Sequence, residues 1–415
     1  MINPAQPLRI LVMLHVPLDR NFGGSRVQLE LAEVWRSWGH EVEYFDLNRA
    51  FRDSTQNVID SRPDRFGLLK ALLAPFWRPS FASKAREFIR AEGDRFDVID
   101  AHQGNLPFSK ADLGYRGLLV VRSVGLYPLY VAFDHGVKPA QLTWRGWLAR
   151  QLLQWRDRQE IRHCLTSFRH ADLINLPNPA EAAYLAQTLG VGAKCRVFPF
   201  GLAPERRQAL ATIGAKDFSP LHLQSRLENP QLTFIGTWCV RKGSQDWRSL
   251  LLQLWATLPD LQVQFLGTRS PESVILRELA LPNTKNLTII PDYRSEDLPA
   301  LLIETTVGAF PSYIEGFGFA ILEKLAAGIP TVAYNIPGPQ TMLTPVDPTL
   351  LTPIGDPEAM ADKLLELLTF SLEDYQTLAH RCQTVAAQFC WQQIAQETME
   401  AYQVAHAQLR EIGKS

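Results

Sequence analysis

Cysteine is scarce in this chain, and what there is does not pair. Five cysteines in 415 residues (Cys164, Cys195, Cys239, Cys382 and Cys390) are odd in number and never spaced C-x-x-C. That argues against a disulfide framework or a cysteine-rich zinc site and fits reduced, cytosolic thiols. An excess of one charge is missing too: 42 Lys and Arg stand against 43 Asp and Glu, a formal net charge of -1. No general basic surface for nucleic acid is therefore expected. No uncharged apolar run is long enough to span a bilayer, and the nearest, 118–133, is interrupted by Arg122. The opening MINPAQPLRI lacks the basic stretch and long apolar run of a signal peptide, so the expected location is cytoplasmic, with the inner membrane face as a peripheral address. Repeats and low-complexity tracts are absent. What remains is 46% hydrophobic and 20% charged, the balance of a globular enzyme with sizeable cores. The length suggests about two domains.

Apolar runs recur between helical patterns along the whole chain. Arg9–Val16, Glu41–Phe45, Phe96–Ala101, Leu118–Arg122, Ala171–Leu176 and Cys195–Phe200 read as a first series of strands. Leu232–Ile235, Gln262–Leu266 and Leu287–Ile290 begin a second. Continuous apolar strands alternating with helices predict parallel sheets buried on both faces. A Gly23–Gly24 pair sits at the first strand-to-helix turn. Between 52 and 90 the pattern is less regular and rich in Arg, Trp and Phe. The stretch 144–169 carries Trp144, Trp147 and Trp155 among arginines. Two readings of it stay open: a long domain helix whose arginines snorkel over apolar surface, or a helix in weak peripheral contact with a membrane.

The most informative run is Phe310–Gly338, FPSYIEGFGFAILEKLAAGIPTVAYNIPG. Val307–Phe310 predicts the end of a buried strand. Pro311, Ser312, Gly316 and Gly318 then break any regular element. A helix is expected from Phe319, stopped by Gly328 and Pro330, and Thr331–Tyr334 predicts the next strand. This is a βαβ unit with its loop at the strand's carboxyl end, where open α/β sheets bind ligands. Its two carboxylates, Glu315 and Glu323, have seven residues between them. On one helix they would lie about 12 Å apart. A hydrolytic acid/base pair needs roughly 5–9.5 Å, so the two are expected to do different jobs around one ligand.

The same run resembles the signature of the retaining GT-B glycosyltransferases of family 4, the group 1 type: P-S-x-x-E-G-F-G-x-x-x-x-E-x-x-A-x-G-x-P-x-V. It is met at Pro311, Ser312, Glu315, Gly316, Phe317, Gly318, Glu323, Ala326, Gly328, Pro330 and Val332. The resemblance implies an α/β architecture of two Rossmann-like domains facing each other across a cleft. Residues 1–205 would be the acceptor-binding domain, 206–229 a linker and 230–387 the nucleotide-sugar domain. Residues 388–415 would form a C-terminal helix crossing back to the first domain.

By the same resemblance, Glu315 would hydrogen-bond donor-sugar hydroxyls and support positive charge at the anomeric carbon. Lys242 matches the family's lysine on the donor diphosphate. Arg241 would replace the family's arginine after the strand glycine, where this chain has Thr237. Backbone N–H groups of Gly316, Phe317, Gly318 and Phe319 would meet sugar hydroxyls and phosphate oxygens. Glu323 would accept from the ribose, and Asp292 and Tyr293 would lie near the base. Gly23 and Gly24 would approach donor phosphates and acceptor. The family's sugar-contacting histidine, just before Gly125, is Val124 here; His102 and His135 are candidate replacements. No Asp-x-Asp motif occurs, and neither metal nor cofactor is expected beyond the nucleotide-diphospho-sugar co-substrate. The acceptor would be a carbohydrate, a lipid or a small molecule. Rival readings are a nucleotide-sugar-binding protein without transfer, prompted by Val124 and Thr237, and an epimerase or phosphorylase on this fold.

Overall fold

The computed structural model describes residues 7–16, 18, 23–51, 80–137, 144–217 and 220–412. Most of the irregular 52–90 stretch lies outside them. The chain divides into two compact units, one of residues 1–198 with 395–415 and the other of 199–394.

The first unit is built on six parallel strands: β1 (Arg9–Met13), β2 (Glu41–Phe45), β3 (Val98–His102), β4 (Leu118–Arg122), β5 (Leu173–Leu176) and β6 (Cys195–Val197). Their order is β2-β1-β3-β4-β5-β6. The central strands β1, β3, β4 and β5 are buried along nearly their whole length and mostly apolar, as expected where helices cover both faces, whereas the edge strands β2 and β6 carry exposed residues. Leu11, Met13, Ile99, Ala101 and Leu119 pack under Ala85 and Ile89 of the helix Phe81–Glu92. Val121, Ile174 and Leu176 pack with Phe168 and Leu185. The order reverses direction after β1, so the carboxyl ends of β1 and β3 flank a topological switch point.

Polar side chains join the last helix to this unit. Asp100 and Arg122, both buried on the central strands, pair at 2.9 Å. Tyr402 donates to Asp100 Oδ2 at 2.6 Å and accepts from Arg122 and Asn175, each at 2.8 Å. Trp35 Nε1 donates to the Ala395 carbonyl at 3.1 Å. A buried ion pair is tolerated only when further hydrogen bonds satisfy its remaining atoms, and Tyr402 supplies them.

The second unit repeats the plan with β7 (Gln231–Ile235), β8 (Gln262–Leu266), β9 (Leu287–Ile290), β10 (Val307–Phe310), β11 (Thr331–Tyr334) and β12 (Leu351–Thr352). The order is β12-β11-β10-β7-β8-β9. Its switch point lies between β7 and β10. Trp247, Phe234 and Phe265 fill the core beside β7 and β8, with Trp247 and Phe265 rings 4.5 Å apart.

Residues 206–229 are not an extended connector. Residues 206–217 fall within the helix Pro204–Asp217 and 220–228 form the helix Pro220–Glu228, with 218–219 outside the described residues. Arg226 is buried and donates to the Ile303 carbonyl, which gives the second helix a fixed seat in the second unit. The polar run RRQALATIGAKD looks like linker because its anchoring partners are distant in sequence. Gly201 and Leu202 also belong to this unit, where Leu202 bridges Cys390. Among the described residues, no helix is long and apolar enough to cross a membrane.

Candidate active site

Two loops converge at the switch point of the second unit. One follows β7 and contains a short 3-10 turn, Val240–Lys242, closed by Gly243. The other follows β10 and ends at the helix Phe319–Ala326. Lys242 Nζ forms an ion pair with Glu315 Oε2, both side chains about one-fifth exposed. The same ammonium lies 5.2 Å from the centre of the Phe310 ring. Two groups 73 residues apart are thus joined at the carboxyl edge. One offers positive charge to an anion, the other accepts from hydroxyls.

The loops are clasped from beneath. Tyr313 N donates to the Arg241 carbonyl at 2.9 Å. The Tyr313 and Tyr334 hydroxyls donate to the two oxygens of Asp246, at 3.1 and 2.8 Å. Burial pushes the Asp246 carboxyl above its ordinary range, while the two tyrosines pull it back. Asp246 pushes both phenols up as well, after burial. None of these three residues was singled out in the sequence. Tyr313 occupies a variable position of the signature, and Asp246 and Tyr334 carry no local signal.

Backbone geometry sets the close approach. Gly243 has φ +78°, and a Cβ there would sit 2.2 Å from the Pro311 carbonyl oxygen. Gly318, at φ +102°, turns the chain into the helix that follows. Gly243→Ala is expected to cost about 2 kcal/mol, since it combines a left-handed residue with a backbone clash. Thermal melting checks this, and an unchanged melting temperature would contradict it.

Glu323 is buried on that helix and pairs with Arg206 at 3.0 Å. Arg206 also donates through Nη1 to the Ser295 carbonyl. Its Nε is buried and has no hydrogen-bond partner among the described residues. Arg206 lies in the expected linker and so was missed; an Arg-Arg pair at a helix start, after a Gly-x-x-Pro turn, was the available signal. Asp292 is exposed and pairs with Arg269 at 2.5 Å. Tyr293 lies against Gly267, where a Cβ would come within 3.1 Å of its ring. The Phe317 and Phe319 side chains turn into an aromatic cluster with Phe200, whose ring stacks on Phe319 at 5.6 Å. This cluster seats the helix start and leaves backbone, not rings, as what 316–319 can offer a ligand.

The first unit gathers a separate set at its own switch point. Gly23 and Gly24 open the helix Gly23–Ser37. A Cβ on Gly24 would lie 3.7 Å from Val124 Cγ2, so these two loops touch. Gln103 Nε2 donates to the Gly125 carbonyl at 2.6 Å, and its Oε1 accepts from Tyr127 N at 3.2 Å. His102 ends β3, with its ring 5.3 Å from that of His15. Burial, and then His15, push the His102 pKa down to about 3. The imidazole is therefore neutral near pH 7 and a weak base there, suited to hydrogen-bond a ligand rather than to carry a proton. His135 does not join this group. Its Nε2 is 3.0 Å from Asp157 on the helix Trp144–His170, and its carbonyl accepts from Arg150. Among the described residues, no three His, Cys, Asp or Glu side chains converge as a metal site.

Comparison with known proteins adds the following. The family described as Glycosyltransferase Family 4 matches residues 23–206. The family described as Glycosyl transferases group 1 matches residues 229–369. Together they take in well over half of the chain. A D-inositol 3-phosphate glycosyltransferase from Salinispora tropica is 32% identical over 144 residues, 35% of this chain and 30% of that protein. The O-antigen chain mannosyltransferase B of Escherichia coli is 30% identical over 186 residues, 41% of this chain and 45% of that protein. The chain thus spans less than half the length of these relatives. Among solved structures, sucrose-phosphate synthase from Thermosynechococcus elongatus superposes with a TM-score of 0.69 at 19% identity, covering 96% of this chain and 99% of that one. Anabaena HepE, in complex with UDP and glucose, gives 0.58 at 18% identity, with 95% and 99% covered. At these identities the likeness is one of fold.

Proposed function

Since this chain belongs to the family 4, group 1 glycosyltransferases of the GT-B fold, we propose that it transfers a sugar with retention from a nucleotide-diphospho-sugar to an acceptor. The donor is a UDP- or GDP-sugar. The acceptor is a glycan, a lipid or a small molecule, and no metal takes part. The Lys242–Glu315 ion pair at the β7/β10 switch point carries the reading.

Each partner of that pair has a separate task. The Lys242 ammonium holds the donor diphosphate and neutralises the charge that grows on it as the glycosidic bond breaks. Arg241 stands in the same turn as a second cation. The Glu315 carboxylate, released from Lys242 by the incoming diphosphate, accepts from sugar hydroxyls and faces the positive charge developing at the anomeric carbon. Backbone N–H groups of 316–319 meet sugar and phosphate oxygens at a helix start. Glu323 accepts from the ribose hydroxyls, held in place by Arg206, with Asp292 and Tyr293 toward the base. Gly125, Val124 and neutral His102 form the acceptor-side set, and Gly23 and Gly24 beside them approach both the donor phosphates and the acceptor. With Val124 in place of the family's histidine, His102 at the end of β3 is the candidate imidazole on this unit, its ring 5.3 Å from that of His15. The retaining outcome is drawn from the family resemblance of the signature, and no enzyme nucleophile is assigned.

A panel of UDP-, GDP- and ADP-sugars tests this, read as nucleotide release and as thermal shift. Release with one donor and a matching acceptor is the expected result. Thermal shift without release, across a wide acceptor panel, would replace it with the second reading: a nucleotide-sugar-binding protein without transfer. Val124 and the exposed Thr237 motivate that second reading.

A further inference from the structure

We infer that the outward face of the helix Trp144–His170 docks on an anionic bilayer surface. This 27-residue helix is the longest described in the chain. Leu152, Leu153 and Trp155 stand on it 46%, 42% and 49% exposed. Six arginines (Arg145, Arg150, Arg156, Arg158, Arg162 and Arg169) against Asp157 and Glu160 make it formally +4, in a chain whose total is -1. The acidic side is weaker still at the surface. Asp157 is mostly buried, accepting from Tyr127 at 3.1 Å and pairing with His135 at 3.0 Å and, at the helix surface, with Arg156 at 3.4 Å. Arg156, Arg158 and Arg162 remain exposed around the apolar trio. At 3.6 residues per turn, Leu152, Trp155, Arg158, Arg162 and Arg156 fall on neighbouring positions of the outward side.

Apolar side chains ringed by arginines fit an interface of acyl chains and anionic headgroups. Tryptophan suits the same depth, with one end apolar and one polar. A second protein fits less well. The trio is less than half exposed, and its largest member buries at most about 250 Å². A stable protein contact needs roughly 800 Å² per partner.

The inner side of the helix is fixed to the loops that carry the acceptor-side set. Ser167 Oγ accepts from Gly104 N at 3.0 Å, just beyond His102. Asp157 holds Tyr127, two residues beyond Gly125. Docking would therefore bring the carboxyl ends of β3 and β4 to the bilayer. On the transferase reading above, that selects a membrane-borne acceptor; the docking itself does not depend on that reading.

The test is co-sedimentation of the full chain with vesicles of phosphatidylcholine alone and of phosphatidylcholine mixed equally with phosphatidylglycerol. Wild-type protein should pellet with the anionic vesicles only, and less so as salt is raised. Replacing Arg156, Arg158 and Arg162 with alanine should weaken binding on the order of a hundredfold, about fivefold per arginine. The matching arginine-to-lysine triple should keep most of it, and Trp155→Ala should weaken it about tenfold. Melting temperatures equal to wild type establish that the variants are folded. No pelleting with anionic vesicles, or equal pelleting of the alanine triple, overturns the inference. So does a wild-type dimer that Trp155→Ala dissociates, since a second copy would then cover the face. Nucleotide-sugar thermal shift is unaffected by these variants, so failure here and failure of the transferase reading are told apart.

Discussion

Glu315→Gln is expected to lower kcat on the order of 10²–10³-fold while leaving nucleoside diphosphate binding intact or tighter. The two halves of that result have different causes. Turnover falls because the carboxylate facing the anomeric carbon is lost, a loss of the size seen when one preorganised charge-stabilising group is removed. Diphosphate binding does not fall, because Lys242 no longer has to leave a carboxylate partner to reach the anion. Lys242→Ala should behave differently. It should weaken nucleoside diphosphate binding and lower kcat by a similar 10²–10³-fold. The double variant should lose less than the two single losses combined, as side chains in contact rarely act additively. Steady-state kinetics and calorimetric titration with the free nucleoside diphosphate give both readouts. Wild-type turnover in both single variants would remove this pair from the chemistry.

Lys324→Met should stabilise the second unit by about 3–5 kcal/mol at pH 6, and by progressively less toward pH 10. Lys324 follows Glu323 on the signature helix and is fully buried. Its Nζ reaches the Ala309 carbonyl at 3.2 Å. Burial pushes its pKa down to about 7, against a weaker upward pull from Glu323. The unfolded chain holds the same proton to about pH 10.4. Between these two values the unfolded state binds more protons, so stability rises with pH across the window. Below about pH 7 the lysine is charged in both states, and the full cost of burying an ammonium is present. Methionine keeps the length of the stem and removes the charge. Calorimetry of the unit's transition from pH 6 to 10 measures both size and slope. A melting difference that does not change with pH would show that the lysine is not the titrating group.

Much of the second unit was legible because its elements are local. Buried parallel strands are nearly pure apolar runs, and glycine and proline mark their ends. Val307–Phe310 and Thr331–Tyr334 were read with the bounds that β10 and β11 take. Longer-range features were not legible. The 204–228 helices read as linker because Arg226 meets the Ile303 carbonyl 77 residues on. The helix Leu372–Ala387 was not anticipated, although Tyr375, Leu378 and Cys382 are buried at helical spacing. β12 is two residues long and has no periodicity to detect. The site divides along the same line. Glu315, Glu323 and Lys242 lie in motifs that a sequence displays, and the structure brings Glu315 and Lys242 together. Arg206, Asp246 and Tyr313 act through partners 117, 88 and 67 residues away, and only the fold reveals them. His102 and His135 were equal candidates until one was found at the end of β3 and the other held by Asp157.

Tyr402 gives the chain an order of events during synthesis. Its hydroxyl meets Asp100 across 302 residues and Arg122 across 280. At about 5–20 residues per second, a ribosome needs roughly 15–60 s to cover that distance. During that interval the central strands of the first unit exist with a carboxylate and a guanidinium that lack their phenol. The whole second unit is made while the first waits. Nascent first unit is therefore exposed to misassembly for longer than its size would suggest, and residues 395–412 act as the closing stitch of a sheet begun almost four hundred residues earlier.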